Sequence, residues 1–364
     1  MQEQVAAPVV SNHSHPVIRW IIRIAIIIGL LITLYSSIIV GIFDPIYYSI
    51  RSAQWTQVIV RPSLLWIMMG FLLLVFRTAL WFVYKPFPSA SYEQAPVLTV
   101  IIPAYNEGAM VRKSIDSVAR AKYPHEKLEI LAIDDGSTDD TWQYIQQAAE
   151  EHGALVTAVR FTKNQGKRAA LAEGFRRARG EFVVTIDSDS VIEEDTLLAV
   201  VGPFSNPRIG AVAGKVAVYN RQKGLIPRML HVRFILSFDF LRATQSAYGT
   251  VYCCPGALSA YRMSVVREVM DKWLEQTFLG TKCTYGEDRA LTNMILAKQL
   301  NAVYQRTAVV HTIVPWTYKQ LCKMYLRWDR SYIREEIIFA KIVWKRPLVY
   351  RIIAIWDKTI TNLR

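Results

Sequence analysis

Cysteine is scarce in this 364-residue chain, with Cys253, Cys254, Cys283 and Cys322 making up the full set. They form no CxxC pair and stand beside no histidine cluster, so neither a disulfide framework nor a structural zinc site is expected. Two phosphate-binding loops are missing as well. There is no GxxxxGK[ST] and no GxGxxG, which excludes an ATPase or a dinucleotide enzyme built on its usual cradle. The 17 Gly and 15 Pro follow no period, and no internal repeat or low-complexity stretch occurs. With 52% hydrophobic residues, that excludes a collagen-like or disordered chain.

Acidic residues are the minority charge, 30 Asp+Glu against 43 Lys+Arg, for a net charge of +13. The excess is concentrated at the end: residues 317–364 carry 11 basic and 4 acidic side chains. A basic segment among apolar residues suits an anionic membrane surface, an acidic polymer or a diphosphate. Nothing else in the sequence supports nucleic acid, and none is expected as a partner.

From Ile24 to Phe43 twenty residues pass without a charge, enough to cross the ~30 Å hydrocarbon layer. Arg19 and Arg23 precede the run as in a signal peptide, but it is too long for one and no small-residue cleavage site follows, so an uncleaved anchor is expected. A second segment, Pro62 to Tyr84, is apolar except for Arg77, which can snorkel to the interface; a buried core helix is the alternative. Two crossings would leave both ends of the hairpin on one side of the membrane.

After Pro86 and Pro88 the pattern changes. Short β-rich runs, Leu98 to Pro103, Leu128 to Ile133, Leu155 to Phe161, Phe182 to Ile186, Ile209 to Val218 and Ala302 to Val310, alternate with helical stretches such as Asp140 to His152 and Gly166 to Arg179. This βαβ alternation predicts an α/β fold with a mostly parallel sheet and helices on both faces, whose ligands sit at the carboxyl ends of the strands. Two of these runs end in acids: Asp134-Asp135-Gly136-Ser137 and Asp187-Ser188-Asp189. Carboxylates at strand ends point into the ligand crevice, and two spaced by one residue can hold a divalent metal on a diphosphate. Read singly, each is as readily a turn. The stretch Asn164-Gln165-Gly166-Lys167-Arg168 opens a helix whose amides and lysine can meet phosphate or uracil oxygens, or it is a solvated first turn.

Taken in order, Pro103-Ala104-Tyr105-Asn106-Glu107, Asp134-Asp135-Gly136-Ser137, Gly166-Lys167-Arg168, Asp187-Ser188-Asp189, Cys253-Cys254-Pro255-Gly256, Phe278-Leu279-Gly280, Gly286-Glu287-Asp288-Arg289 and Arg327-Trp328 resemble the processive family-2 glycosyltransferases of the hyaluronan synthase, chitin synthase and nodulation chitooligosaccharide synthase group. The resemblance covers about residues 97 to 335. It implies a GT-A fold that inverts the anomeric centre of a UDP-sugar. Tyr105, Glu107, Asp135 and Lys167 would cradle uridine. Asp189, with Asp187, would position Mg²⁺ or Mn²⁺ on the diphosphate, and Asp288 would deprotonate the acceptor hydroxyl. Arg327 would reach the diphosphate while Trp328 stacks on the acceptor sugar, and Cys254 and Gly256 would belong to a loop contacting that sugar. The chemistry is consistent with those roles: displacement at a sugar carbon needs a carboxylate to take the incoming proton and positive charge to stabilise the leaving UDP. Without the other motifs, Glu287-Asp288 reads as a helix N-terminal cap, and the cysteines read as small core residues.

From Tyr318, apolar residues recur at Leu321, Met324, Tyr325, Trp328 and Tyr332, with Lys323, Arg327, Arg330, Arg334 and Lys341 elsewhere on the wheel. That predicts an amphipathic interfacial helix. The stretch from Ile337 to Trp356, interrupted by four basic residues and Pro347, is likewise expected at the interface. The chain thus divides into a tail (1–16), two transmembrane helices (17–86), a GT-A domain (97–315) and interfacial helices (316–364). Two departures from the family stand out: Met324 occupies the Gln of its Gln-x-x-Arg-Trp signature, and the sequence ends at Arg364 where members continue into further transmembrane helices. Either the sequence is truncated or secretion draws on a further membrane subunit. The reading is a multi-pass enzyme of the cell membrane with a cytosolic catalytic domain, adding N-acetylglucosamine, with or without glucuronic acid, from UDP-sugar to a polysaccharide. The alternatives are transfer of one sugar to a polyprenyl phosphate and an inactive UDP-sugar-binding membrane subunit.

Overall fold

In the computed structural model of the chain, residues 16–41, 44, 47, 48 and 62–362 are described. The chain divides into two compact units, Met1–Leu72 and Leu73–Arg364. Helix α1 (Pro16–Ile39) belongs to the first, and α2 (Pro62–Val83) begins there and runs into the second. Among the described residues one helix is long and apolar enough to cross a membrane, through Trp66–Val83, while Ile24–Ile39 within α1 forms a shorter apolar helix. Phe43, the expected end of the first crossing, lies outside the described residues. The side chains of α2 are largely unburied, with Ile67, Leu72 and Val83 exposed, so the core-helix alternative does not describe it. Arg77 does not snorkel. Its Nε donates to Asp357 Oδ1 at 2.7 Å and its Nη2 to Thr361 Oγ1 at 2.7 Å, because a cation among apolar neighbours is best satisfied by a carboxylate brought to it.

The second unit is organised by a sheet. β1 (Leu98–Ala104), β2 (Leu128–Asp134), β3 (Val156–Arg160), β4 (Phe182–Thr185), β5 (Ser190–Ile192), β6 (Ile209–Val218), β7 (Ser259–Arg262) and β10 (Asn301–Thr312) lie in the order β3-β2-β1-β4-β7-β6-β10-β5. β8 (Thr277–Phe278) and β9 (Thr281–Lys282) form a separate hairpin. Leu98, Val100, Ile101 and Ile102 of β1 are fully buried, as a strand covered on both faces requires. Each such side chain contributes roughly 1.5–3 kcal/mol relative to exposure. β1 pairs in parallel with both β2 and β4, β2 with β3 and β6 with β10, whereas β7 runs antiparallel to β4 and β6, and β5 antiparallel to β10. The sheet is therefore mixed. The antiparallel members β5 and β7 are three and four residues long, too short for a period-2 pattern to show them in the sequence.

Helices α3 (Met110–Ala119) and α4 (Thr141–His152) pack on β1, β2 and β3; α5 (Lys167–Arg177), α9 (Met263–Leu274), α10 (Glu287–Ala297) and α11 (Tyr318–Ile342) follow one another in contact. Between them come α6 (Thr196–Val201), α7 (Leu225–Ile235), a π-helical segment Leu236–Arg242 and α8 (Ala243–Ala247), and α12 (Leu348–Asn362) ends the described chain. From β1 the chain passes to β2 and β3 on one side, then returns to β4 on the other. That makes the carboxyl ends of β1, β2 and β4 a topological switch point, where a crevice opens.

The last helices differ from the interfacial reading in one respect. Arg334 and Arg346 are buried, not splayed toward a surface: Arg346 donates to the carbonyls of Leu300 at 2.5 Å and Gly249 at 3.0 Å. An apolar outer face is nevertheless present, with Leu326, Ile333, Ile337, Trp344, Leu348 and Ile352 exposed. α7, which the sequence pattern did not single out, carries another that runs into the π-helical segment: Leu225, Met229, Val232 and Leu236 are exposed at helical spacing.

Candidate active site

A cleft of about 280 Å³ at the switch point is lined by Pro103, Ala104, Tyr105, Glu107, Asp135, Lys167, Asp187, Ser188, Asp189 and Arg327. Residues from the ends of β1, β2 and β4, the start of α5 and the third turn of α11 thus meet in one place. Asp135 is pinned there as the acceptor of backbone N–H bonds from Gln165 at 2.7 Å and Gly166 at 2.8 Å, which sets the loop that presents Lys167. Asp189 accepts the hydroxyls of Ser190 and Thr312, each at 3.0 Å and both on Oδ1. One edge of the carboxylate is thereby fixed in orientation.

Of the four carboxylates that line this cleft, Glu107, Asp187 and Asp189 crowd together, and the field they create raises the proton affinity of two of them. Burial, with the charge of Asp187 beside it, pushes Asp189 up to about 6. Burial and the charges of Asp189 and Asp187 push Glu107 up to about 7. Lys167 is the counter-charge: it pairs with Asp187 and stands 3.3 Å from Glu287. Burial opposes its ammonium, but the two carboxylates outweigh that and hold its pKa above the ordinary lysine value. Mutually repelling carboxylates are stabilised by a cation or by protons. Among the described residues no group of three or more His, Cys, Asp or Glu is arranged to enclose an ion by itself. A hard divalent cation such as Mg²⁺ commonly takes one or two carboxylates and completes its shell with substrate phosphates and water, and Asp187 and Asp189 fit that donor set.

Asp288 adjoins the cleft through Lys167. A small neighbouring pocket is lined by Pro103, Lys167, Gly256, Glu287 and Asp288, among others. Asp288 and Glu287 form the first turn of α10, which Gly286 opens in the left-handed conformation at φ 74°. The loop Cys253-Cys254-Pro255-Gly256 folds over that turn: Gly256 N–H donates to Asp288 Oδ2 at 3.3 Å and Cys253 Sγ lies 3.6 Å from the same oxygen. A Cβ at position 256 would stand 2.8 Å from Lys167 Nζ and 3.3 Å from Asp187 Oδ1, so glycine is what lets the loop reach both. Burial and the neighbouring Glu287 charge hold the Asp288 carboxyl above the ordinary aspartate range. Glu287 goes the other way: burial raises it, but Lys167, a backbone hydrogen bond and Arg168 together outweigh burial.

Not all the expected residues meet the cleft alike. Cys254 is fully buried and its N–H donates to Thr292 Oγ1 at 3.1 Å; what it supplies is the loop's attachment to α10. Trp328 is half-buried on α11, its ring edge-on to Tyr325 with centroids 5.8 Å apart, and Arg233 of α7 lies over Tyr325 at 4.9 Å. Arg327 is exposed and lines the cleft. Met324 is buried in the core. The structure gives a role to residues that the sequence reading quoted without one, Asn106 and Ser137, and adds Thr141. Asn106, left-handed at φ 53°, donates its N–H to Ser137 Oγ at 3.0 Å, and Thr141 Oγ1 accepts from both Glu107 and Gly108 at 2.8 Å. These bonds hold the Tyr105–Glu107 loop against the end of β2. A signal existed in each case, since Asn is tolerated in the left-handed region and Thr or Ser serves in loops.

Residues 99–270 match the family description "Glycosyl transferase family 2". The hyaluronan synthase of Streptococcus pyogenes is 34% identical over 288 residues, 78% of this chain and 67% of the relative. An N-acetylglucosaminyltransferase of Azorhizobium caulinodans is 31% identical over 251 residues, 68% of this chain and 62% of the relative. Among solved structures, a mannosyltransferase from Pyrobaculum calidifontis in complex with GDP-Man and Mn²⁺ superposes with a TM-score of 0.55 at 23% identity, covering 82% of this chain and 85% of that one. TarS 1-349 of S. aureus in complex with UDP-GlcNAc gives 0.51 at 17% identity, covering 73% and 71%. Those two likenesses are of fold. With the strand-end acids, the Lys167 cradle and the Gly286–Arg289 turn arranged around one cleft, and with relatives of this identity over most of its length, the chain belongs to glycosyltransferase family 2, as a relative of hyaluronan synthases and N-acetylglucosaminyltransferases.

Proposed function

We propose that the chain is a membrane-embedded, inverting β-glycosyltransferase that extends an N-acetylglucosamine-containing polysaccharide from UDP-sugar at the cytosolic face. The observation that carries this reading is the convergence of Tyr105, Glu107, Asp135, Lys167, Asp187, Asp189 and Arg327 on one cleft, with Asp288 on its edge across Lys167 and Gly256. The first group suits a nucleoside diphosphate: an aromatic ring and carboxylates for the nucleoside, cations for the phosphates. Asp187 and Asp189 would hold Mg²⁺ or Mn²⁺, which supplies positive charge to the diphosphate when bound. Asp288, with its raised proton affinity, takes the proton of the acceptor hydroxyl as that oxygen attacks the anomeric carbon from the face opposite UDP. Lys167 and Arg327 stabilise the charge that accumulates on the leaving diphosphate. Trp328 offers an apolar face for the acceptor sugar.

Membrane embedding is supported by the apolar, unburied α2 and by the exposed apolar faces of α7, α11 and α12 beside a strongly basic end. UDP-sugars are cytosolic, which places the cleft there.

The test is incorporation of radiolabelled sugar by the full chain in lipid. UDP-GlcNAc and UDP-GlcA are supplied singly and together. Polymer from the first alone indicates a chitooligosaccharide-type product, and polymer only from both indicates hyaluronan. A single sugar on lipid indicates polyprenyl-phosphate transfer. Met324 in place of the family's Gln favours one rival, a UDP-sugar-binding subunit without turnover, and absence of both transfer and hydrolysis for either donor would support it.

A further inference from the structure

The pieces of the proposed machinery stand on three helices: Lys167 opens α5, Asp288 opens α10 and Arg327-Trp328 sit on α11. Their relative placement converges on a single side chain that touches none of the reacting atoms. Glu335, two turns beyond Trp328, is 1% exposed. Its Oε2 accepts from Asn293 Nδ2 of α10 at 2.9 Å, and its Oε1 accepts from Gln276 Nε2 at 3.0 Å and from Arg334 Nε at 2.8 Å. Gln276 Oε1 in turn accepts from Arg168 Nη1 at 3.1 Å, and Arg168 is the residue after Lys167. Arg334 carries the link onward to the carbonyl of Tyr285, immediately before the left-handed Gly286. A Cβ at position 286 would collide with the side chain of Ser331 on α11, so the two helices touch at that glycine. From it α10 turns in with Glu287 and Asp288.

A buried carboxylate that takes donors from α10 and from the Gln276 segment, besides its own helix neighbour Arg334, leaves little freedom of register, because sliding α10 or α11 strands a donor without water to replace the bond. We propose that Glu335 is a positioning residue that sets the register of the acceptor helix α11 against the base helix α10 and the donor helix α5. Its consequence is coupling of UDP-sugar cleavage to sugar transfer in place of transfer to water. This rests on the glycosyltransferase reading above. A misplacement of about 1 Å between reacting groups costs on the order of 10² in rate. Hydrolysis still draws on Arg327 at the diphosphate but needs no acceptor sugar placed by Trp328, so it loses less than transfer does.

The experiment measures, for the full chain in lipid, labelled sugar transferred and free sugar released from the same UDP-sugar, and takes their ratio. The ratio does not depend on how much of the preparation is folded. Glu335→Gln keeps the shape but leaves one oxygen for three donors, and the expected result is a shift of at least tenfold toward hydrolysis with UDP affinity within twofold. Gln276→Ala, at a half-buried position, removes one arm and is expected to shift the ratio about threefold; it serves as the measurement if Glu335→Gln does not fold. A folded variant of either kind that loses transfer and hydrolysis in equal proportion, or keeps the wild-type ratio, overturns the proposal and leaves the glycosyltransferase reading standing. A wild-type chain that neither transfers nor hydrolyses overturns both.

Discussion

The proposed donor side and the proposed acceptor side of the cleft are built by different means. On the donor side, Asp135, Asp187 and Asp189 sit where strands stop, and the sheet's hydrogen-bond register carries them to one crevice: β1 aligns with β2 from Leu98↔Leu128 to Ala104↔Asp134 and with β4 from Leu98↔Phe182. On the acceptor side, Asp288 and Arg327-Trp328 lie on helices joined by side-chain bonds between residues far apart in the chain, such as Asn293 to Glu335 and Gln276 to Glu335. A backbone ladder tolerates the loss of a side chain, whereas a side-chain tie does not. Changes on the donor side should therefore act through ligand chemistry, and changes on the acceptor side through alignment.

The largest effect is expected from Asp189→Asn, which removes a charged ligand for a hard cation. Transfer should be abolished, and metal-dependent UDP binding, followed by calorimetry with and without chelator, should weaken with it. Unchanged activity would remove the metal assignment. Asp288→Asn should separate the two sides: UDP affinity within a few fold, turnover lower by roughly 10²-fold or more, the usual contribution of a positioned base. Since only the ionised carboxylate accepts a proton, wild-type turnover should fall as pH drops through the raised pKa of Asp288, at a higher pH than an ordinary aspartate would give. A pH–rate profile with no such limb, or UDP binding that collapses in Asp288→Asn, makes Asp288 structural.

Much of the donor side was legible because strand and acid are adjacent in the chain. The runs Leu128 to Ile133 and Phe182 to Ile186 announce their strands by apolar content, and the acids that follow can point nowhere but past the strand end. The mixed character of the sheet was not legible, since β5 and β7 are shorter than any pattern that distinguishes them from a loop. The acceptor side was legible only as isolated motifs. That Arg334 and Arg346 are buried and that Glu335 joins three segments follow from tertiary pairing, which helical periodicity ranks as surface charge. Arg77 shows the same limit, because its partner Asp357 is 280 residues away.

Trp328→Ala sharpens the comparison on the acceptor side. An indole packs on the C–H face of a pyranose ring, so its loss should lower polymer synthesis at least tenfold while UDP-sugar affinity stays nearly intact and hydrolysis suffers less. Its edge-on contact with Tyr325 gives a competing role as a helix anchor. Assays of Trp328→Ala and Trp328→Phe in detergent and in lipid distinguish them: an anchor predicts loss of membrane association, and an acceptor platform predicts a folded enzyme that hydrolyses without elongating.

The smallest effect is expected at the start of α11, where Thr317 and Gln320 form a capping box: Gln320 N–H donates to Thr317 Oγ1 at 3.4 Å and Thr317 N–H donates to Gln320 Oε1 at 3.3 Å. Both are exposed, so water replaces part of what is lost, and Thr317→Ala should cost about 1 kcal/mol. Thermal inactivation should move down by about 2 °C, and Thr317→Ser should restore it by returning the hydroxyl. Fraying the first turn does not slide the helix, because the ties at Ser331 and Glu335 lie several turns further on. The transfer-to-hydrolysis ratio of Thr317→Ala should accordingly equal that of wild type. A shift in that ratio as large as that of Gln276→Ala would mean that the helix is aligned from its capped end, and that the buried carboxylate follows the register instead of setting it.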